Sequence, residues 1–350
     1  MDKKFGILTL PFEANYGYIL QAFALSKIIE KNNAQPILLN RGWNESNPSL
    51  IHHFKRNIYY KYFCKNIISL FKKINQTETI RSSSTLRTVC ESLKLNGIIV
   101  GSDQVWSVPN TRGAELNYFL DFLDSNSNIK RYSYAASLGK DSLIANEEEK
   151  IRIGNLLKKF EVVTVREDSG VDILKHEFDI DSTCVLDPTL LITGAEWDAF
   201  VSNYKNNNEL VTYILDTNKD KVDSIKRYAS TNRLKVYNLY NRKFKPYYSV
   251  EHWLTKIRNA NFVIVDSFHG MVFAIIFKKQ FIAIANNKRG KTRFISLLHK
   301  LGLENRLVDN ASQINQLTFD EIDYQKVGEA LKRERIESLK IINHIINPDN

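Results

Sequence analysis

The sequence lacks most of the signals that mark specialised proteins. Of its 350 residues only three are cysteine. Cys64, Cys90 and Cys184 lie far apart and form no CxxC pair, which fits a reducing compartment and offers no metal framework. No stretch approaches the ~18–20 uncharged apolar residues of a membrane span. The opening MDKKFGILTLPF has too short an apolar run for a signal peptide and no small-residue cleavage site. A cytoplasmic chain is therefore expected. There is no GxGxxG, no P-loop, no HExxH and no GxSxG. The acidic residues form no obvious metal pair, and no nucleic-acid motif is present.

What the sequence does have is an ordinary globular composition, 43% hydrophobic and 25% charged, and a formal net charge of +10. That surplus suits an acidic partner: a phosphorylated metabolite, an anionic membrane surface or nucleic acid. It also suits a solvated lysine surface, so the placement of the cations has to decide. A chain of 350 residues is long for one core and comfortable for two domains.

Short β-branched runs alternate with helical patterns. KFGILTL reads as a strand, YILQAFALSKIIEKN as a helix and PILLN as a strand. GIIVGS, RYSYAAS, VVTVRE and TCVLD follow as strands, with helices such as NEEEKIRIGNLLKKF and SGVDILKHEF between them. The pattern restarts with LVTYILD and runs through LKVYNLY, FVIVDS and QFIAIAN. Interleaving of this kind implies βαβ units and mostly parallel sheets. The polar, aperiodic VSNYKNNNE marks the boundary. The expected organisation is an N-terminal Rossmann-like domain over 1–195, a second over 196–320, and a long helix within 321–350.

In open parallel sheets ligands sit beyond the carboxyl ends of the strands, and the unusual polar residues fall there. Asn15 to Gly17 follow GILTL. Ser102, Asp103, Gln104 and Trp106 follow GIIVG, where the polar groups and the indole could hold a sugar or build a tight turn. Ser137 follows YSYAA, and Arg166 ends VVTV, either as a ligand cation or as a salt-bridge partner of Glu167 or Asp168. Ser267, His269 and Gly270 follow FVIVD. Here a helix N-terminus favours an anion and an imidazole can move a proton, Gly270 allowing close approach. The alternative is a histidine that only caps its own helix. NNKRGKTRF places Lys288, Arg289, Lys291 and Arg293 after a buried strand, as a phosphate or carboxylate clamp or a solvated basic loop. Residues 51–74 carry Tyr59, Phe63, Ile67, Leu70, Phe71 and Ile74 on one helical side and Lys61, Lys65 and Lys72 on the other. That pattern fits a helix lying on an anionic membrane surface or one packed on its own domain with a wet lysine face.

Taken in order, NYGYILQAFAL, GSDQVW, SYAASLG, TVRED, VLDPTLL, DSFHG and NKRGKTRF, followed by LLHKLGLENRL, resemble the polysaccharide pyruvyl transferase family. They span residues 15–307. The resemblance implies a GT-B-like architecture, two Rossmann-like domains facing a cleft. It implies phosphoenolpyruvate as co-substrate with no other cofactor and no metal, and a pyruvate ketal as product, formed on two hydroxyls of a sugar in a surface polysaccharide or its lipid-linked precursor. It implies functional roles for His269 and Arg166. The residue chemistry fits such a donor independently: Arg166, Arg289 and Arg293 could meet its phosphate and carboxylate, and donor binding is expected at Ser267, Gly270, Lys288, Arg289 and Arg293. Acceptor binding would involve Asn15, Tyr16, Gln21, Ser102, Asp103, Gln104, Trp106 and Ser137. Some relatives carry an arginine where Ser267 stands, so the NKRGKTRF loop is expected to supply the missing cation. A lipid-linked acceptor would place the protein peripherally on the inner face of the cell membrane, with no nucleic-acid partner. A nucleotide-sugar glycosyltransferase of GT-B type is the alternative.

Overall fold

The computed structural model describes residues 3–348 apart from 12–14, 45–58, 60, 61, 63, 115, 241–245, 287 and 288. Lys288 of the expected clamp and the first half of the basic segment lie outside the described residues. The chain divides into two compact units. The first comprises Met1–Lys55, Leu70–Leu191 and Glu334–Asn350, the second Arg56–Ser69 and Ile192–Arg333.

Unit 1 is built on a parallel sheet of β1 (Lys3–Leu8), β2 (Ala34–Leu38), β3 (Gly97–Val100) and β4 (Lys130–Ser133), in the order β2-β1-β3-β4. The central strand β3, GIIV, is buried and apolar on both faces, as a sheet covered on both sides requires, and polar residues enter β1, β2 and β4. Pro36 cannot donate to a ladder, and it sits on the edge strand β2. A smaller parallel pair, β5 (Thr164–Val165) and β6 (Thr183–Cys184), continues the order through bridges from Tyr132 to Val162 and from Ala136 to Val165.

The first crossover helix, α1 (Tyr16–Lys31), is buried on nearly every side and capped by Asn15, whose side chain accepts the Gly17 N–H at 3.0 Å. Helices α2 (Ser83–Leu93), α3 (Glu147–Leu157) and α4 (Asp168–Phe178) complete the unit. Asn146 and Glu149 close a capping box at the start of α3.

Unit 2 is a five-stranded parallel sheet of β7 (Glu209–Tyr213), β8 (Lys235–Asn238), β9 (Phe262–Val265), β10 (Gln280–Ile284) and β11 (Leu307–Val308), ordered β11-β10-β9-β7-β8. Its helices are α5 (Lys219–Thr231), α6 (Val250–Asn259), α7 (Phe268–Ile276) and α8 (Thr292–Leu301). Leu210, Ile264, Ile282, Ile284 and Val308 pack with Ile225 and Ala229 of α5. The alternate positions of β7, β9 and β10 are buried as well, whereas the edge strand β8 is largely exposed. The chain order reverses between β7 and β9, and such a switch point opens a crevice at the strand carboxyl ends.

The C-terminal helix α9 (Tyr324–Ile346) is not a unit of its own. Tyr324 hydrogen-bonds to the Lys279 carbonyl in unit 2, while Ser338 accepts the Leu186 N–H at 3.1 Å in unit 1. Of the segment 51–74, Ile67, Leu70, Phe71 and Ile74 are buried, while Lys65, Lys72 and Lys73 are exposed. These four apolar side chains are therefore engaged in the protein interior, while Tyr59 and Tyr62, 39% and 60% exposed, stay outside with the lysines. No helix among the described residues is long and apolar enough to cross a membrane.

Candidate functional site

In unit 2 the carboxyl ends of β7, β9 and β10 carry one connected polar cluster. Asp266 ends β9 with its side chain fully buried. Its carboxylate accepts the backbone N–H of Leu215 at 2.6 Å and of Asp216 at 3.1 Å, and the Lys221 ammonium at 2.7 Å. One buried carboxylate thus ties the loop after β7 and the first turn of α5 to the strand that leads into His269. Asp216 in turn accepts Arg289 Nε at 2.7 Å and Asn286 Nδ2 at 2.6 Å. The Arg289 hydrogen bond holds the Asp216 carboxyl below the usual carboxylate range, and the same contact raises the guanidinium. Leu215, Asp216, Thr217, Asn218, Lys221, Ala285 and Asn286 line a cleft of about 420 Å³.

His269 lies in the first turn of α7 and is 7% exposed. Ser267 is the N-cap, its hydroxyl 3.5 Å from the Gly270 N–H. The Phe268 ring meets His269 edge-on at 5.3 Å and carries the Arg293 guanidinium 5.7 Å from its centroid. Arg293 Nη2 donates to the Arg289 carbonyl at 2.7 Å. Ser267, His269, Arg289 and Arg293 therefore belong to one contiguous group.

Gly270 has a packing role. A Cβ there would stand 2.9 Å from Val265 Cγ1 and 3.3 Å from the Tyr213 ring. Its bare Cα is what lets α7 sit down on β9 and β7.

Unit 1 gathers its polar residues at the matching sheet edge, but most are sealed. Arg166 ends β5 and pairs with Asp187 at 2.9 Å, the two side chains 1% and 0% exposed. The same Nη1 donates to the Ser102 carbonyl at 2.7 Å. The partner is Asp187 and not the adjacent acids, because β5 and β6 run parallel with Val165 opposite Cys184, which sets their carboxyl ends side by side. Glu167 is buried and turns elsewhere. Its Oε1 accepts Ser137 Oγ at 2.9 Å and the N–H groups of Leu138 and Gly139 at 2.8 and 3.2 Å.

Gln21 bridges Thr9 Oγ1 and Ser102 Oγ, at 3.0 and 3.2 Å. Trp106 stacks on Phe119 and donates its indole N–H to the Tyr118 carbonyl at 2.9 Å, so no indole face is presented to a ligand. Tyr16 is likewise buried. Of the expected acceptor residues, Asn15 is exposed and Asp103 and Gln104 are half-buried. The other five hold the loops in place.

The residue patterns do not single out Asp216 or Lys221, and they offer Asp266 only as a neighbour of His269 in DSFHG. The strand-end rule reaches Asp216, which closes the run LVTYILD, but Lys221 becomes visible only once α5 is seen to start at the mouth of the cleft.

Two parallel α/β units with crossover helices define a GT-B-like fold, and solved structures agree. The UDP complex of MnaA from S. aureus matches with a TM-score of 0.56 at 13% identity, covering 99% of this chain and 96% of that one. The UDP-GlcNAc 2-epimerase of Methanocaldococcus jannaschii matches with a TM-score of 0.55 at 12% identity, covering 97% and 99%. The glycotransferase of kitacinnamycin matches at 0.54 and 9% identity, covering 99% of each chain. At these identities the likeness is one of fold. The search of curated proteins returned no match. The family model for polysaccharide pyruvyl transferase matches residues 15–288. The chain belongs to that family.

Proposed function

We propose that the protein transfers the pyruvyl group of phosphoenolpyruvate onto two hydroxyls of a sugar, forming a pyruvate ketal on a saccharide destined for a surface polysaccharide. Within the family assignment, the observation that carries this reading is His269. It is an imidazole held in the first turn of a buried helix, in one group with Arg289 and Arg293.

Phosphoenolpyruvate brings a phosphate and a carboxylate. Two guanidinium groups and a helix N-terminus are the partners such a ligand needs. The first sugar hydroxyl adds across the enol double bond, its oxygen to C2 and a proton to C3. The second hydroxyl displaces phosphate from C2 and gives up its proton. His269 is the group that supplies the proton to C3, regains one from the first hydroxyl and passes that of the second to the departing phosphate. In this scheme Arg289 and Arg293 bind the donor. Asn15, Asp103 and Gln104 touch the acceptor, and Arg166 acts through the Ser102 carbonyl on the loop that carries Asp103 and Gln104.

The test is thermal protection together with turnover. Millimolar phosphoenolpyruvate is expected to raise the melting temperature of the wild type and of His269→Ala, but much less that of Arg293→Ala. Turnover is expected to vanish in His269→Ala. A rise with UDP and none with phosphoenolpyruvate would replace this reading with a nucleotide-sugar transferase.

A further inference from the structure

The cation best placed to meet an incoming phosphate is already occupied. Arg289 reaches across from the loop after β10 and forks onto Asp216, Nε to Oδ2 at 2.7 Å and Nη2 to Oδ1 at 3.4 Å. This is the two-point geometry that a guanidinium offers to a ligand carboxylate or phosphate. Unlike the other strong ion pairs of this edge, it is open to water. The Arg289 and Asp216 side chains are 46% and 31% exposed, against 11% and 0% for Lys221 and Asp266.

Asp216 also has a second partner that would remain if Arg289 left. Asn286 Nδ2 lies 2.6 Å from Oδ2. The backbone N–H of Asp216 is fixed separately by Asp266. Releasing Arg289 therefore strands no buried charge. A half-exposed pair of this kind resists exchange only weakly.

We propose that Asp216 is a built-in competitor for the donor's anionic groups. It holds Arg289 in the empty site, yields it to phosphoenolpyruvate, and takes it back when inorganic phosphate must leave. The inference rests on the donor reading of this site. Its consequence is a sign. If Asp216 merely positioned Arg289, removing its charge would weaken anion binding. If it competes, removal strengthens binding, because Arg289 is released and a nearby negative charge is lost. Each of these effects is a few-fold, so together they amount to roughly tenfold in Kd.

The experiment is titration of wild type, Asp216→Asn, Asp216→Ala and Asp216→Asn/Arg289→Ala with inorganic phosphate and with phosphoenolpyruvate, followed by calorimetry or thermal shift. Both single variants are expected to bind each anion about tenfold more tightly than wild type. The double variant is expected to lose that gain. Turnover of Asp216→Asn should fall while its KM for phosphoenolpyruvate also falls, since phosphate release slows. Structural damage does not produce tighter binding, so the readout is not confounded by misfolding. Unchanged or weaker binding in both single variants, with the wild type still binding phosphoenolpyruvate, overturns the competitor and leaves the donor reading standing. If neither anion binds any of the four proteins, the donor reading fails and the inference fails with it.

Discussion

The Arg166–Asp187 pair lets two roles be separated by measurement. Asp187→Asn keeps the side-chain shape and removes the charge. It leaves a guanidinium that is 1% exposed with the Ser102 carbonyl and with Asp103, whose carboxylate is 4.0 Å away and 13% exposed. Breaking a buried pair from one side costs about 3–5 kcal/mol. The remaining contact to Asp103 puts this case near ~3 kcal/mol, consistent with the ~4 kcal/mol of two charges about 4 Å apart at an effective dielectric near 20. For a unit of this size that corresponds to a melting temperature lower by roughly 6–12 °C. Scanning calorimetry of the wild type and Asp187→Asn measures it directly. Replacing both partners, as in Arg166→Met/Asp187→Leu, should recover most of the loss, because no buried charge is stranded. A melting temperature for Asp187→Asn within about 2 °C of wild type would refute the idea that burial makes this pair strong. If the double variant melts like wild type yet fails to turn over, Arg166 acts on the reaction as well as on the fold.

Two further outcomes follow from the packing and the charges of unit 2. Gly270→Ala should destabilise by about 1–3 kcal/mol and broaden or lower the unit 2 transition, since its Cβ meets the β-branched Val265 at 2.9 Å; an unchanged urea midpoint would contradict the packing role. His252 hydrogen-bonds Tyr237 at 2.9 Å, and burial, followed by the Lys256 charge, lowers its pKa from the ordinary 6.5. The folded state then takes up a proton less readily than the unfolded chain. The stability from this group is present above about pH 6.5 and is lost as the pH falls through the lowered value. The melting temperature should drop between pH 7 and 5 more steeply in the wild type than in His252→Gln, and parallel curves would exclude His252 as the source.

Much of this architecture is legible in the sequence because a buried parallel strand needs an uninterrupted apolar run, and FVIVD, GIIVG and QFIAIA supply one each. Placing polar residues after those runs locates His269, Ser267, Arg289, Arg166 and Ser102 at the correct sheet edges. β11 escaped because two residues, Leu307 and Val308, carry no period. The pairings escaped for a different reason. Arg289 and Asp216, or Asp266 and Lys221, become neighbours only when β7, β9 and β10 align in parallel register, and nothing local encodes that. Of the two readings of GSDQVW, a sugar platform or a tight turn, the string itself does not choose. The stacking on Phe119 that draws the indole inward comes from a residue thirteen positions later. Gly270 carries a packing requirement against Val265 that the string DSFHG does not reveal.

The two units place charged residues at equivalent sheet edges and treat them in opposite ways, and the contrast argues for where anion chemistry can occur. In unit 1, Arg166 is already neutralised by Asp187, with both groups sealed from water. A phosphate arriving there would have to pull apart a sealed pair and leave the fully buried Asp187 charge to its hydrogen bonds from Thr189. In unit 2, Arg289 and Asp216 are wet, the carboxylate keeps Asn286 when the guanidinium leaves, and Arg293 stands behind them on the Phe268 ring. Exchange of one anion for another is cheap only in the second arrangement. Under the proposed function, Arg166 would therefore shape the loop that meets the acceptor, and the cations around His269 would meet the donor. On that proposal the donor belongs to unit 2, the unit whose cations can exchange one anion for another.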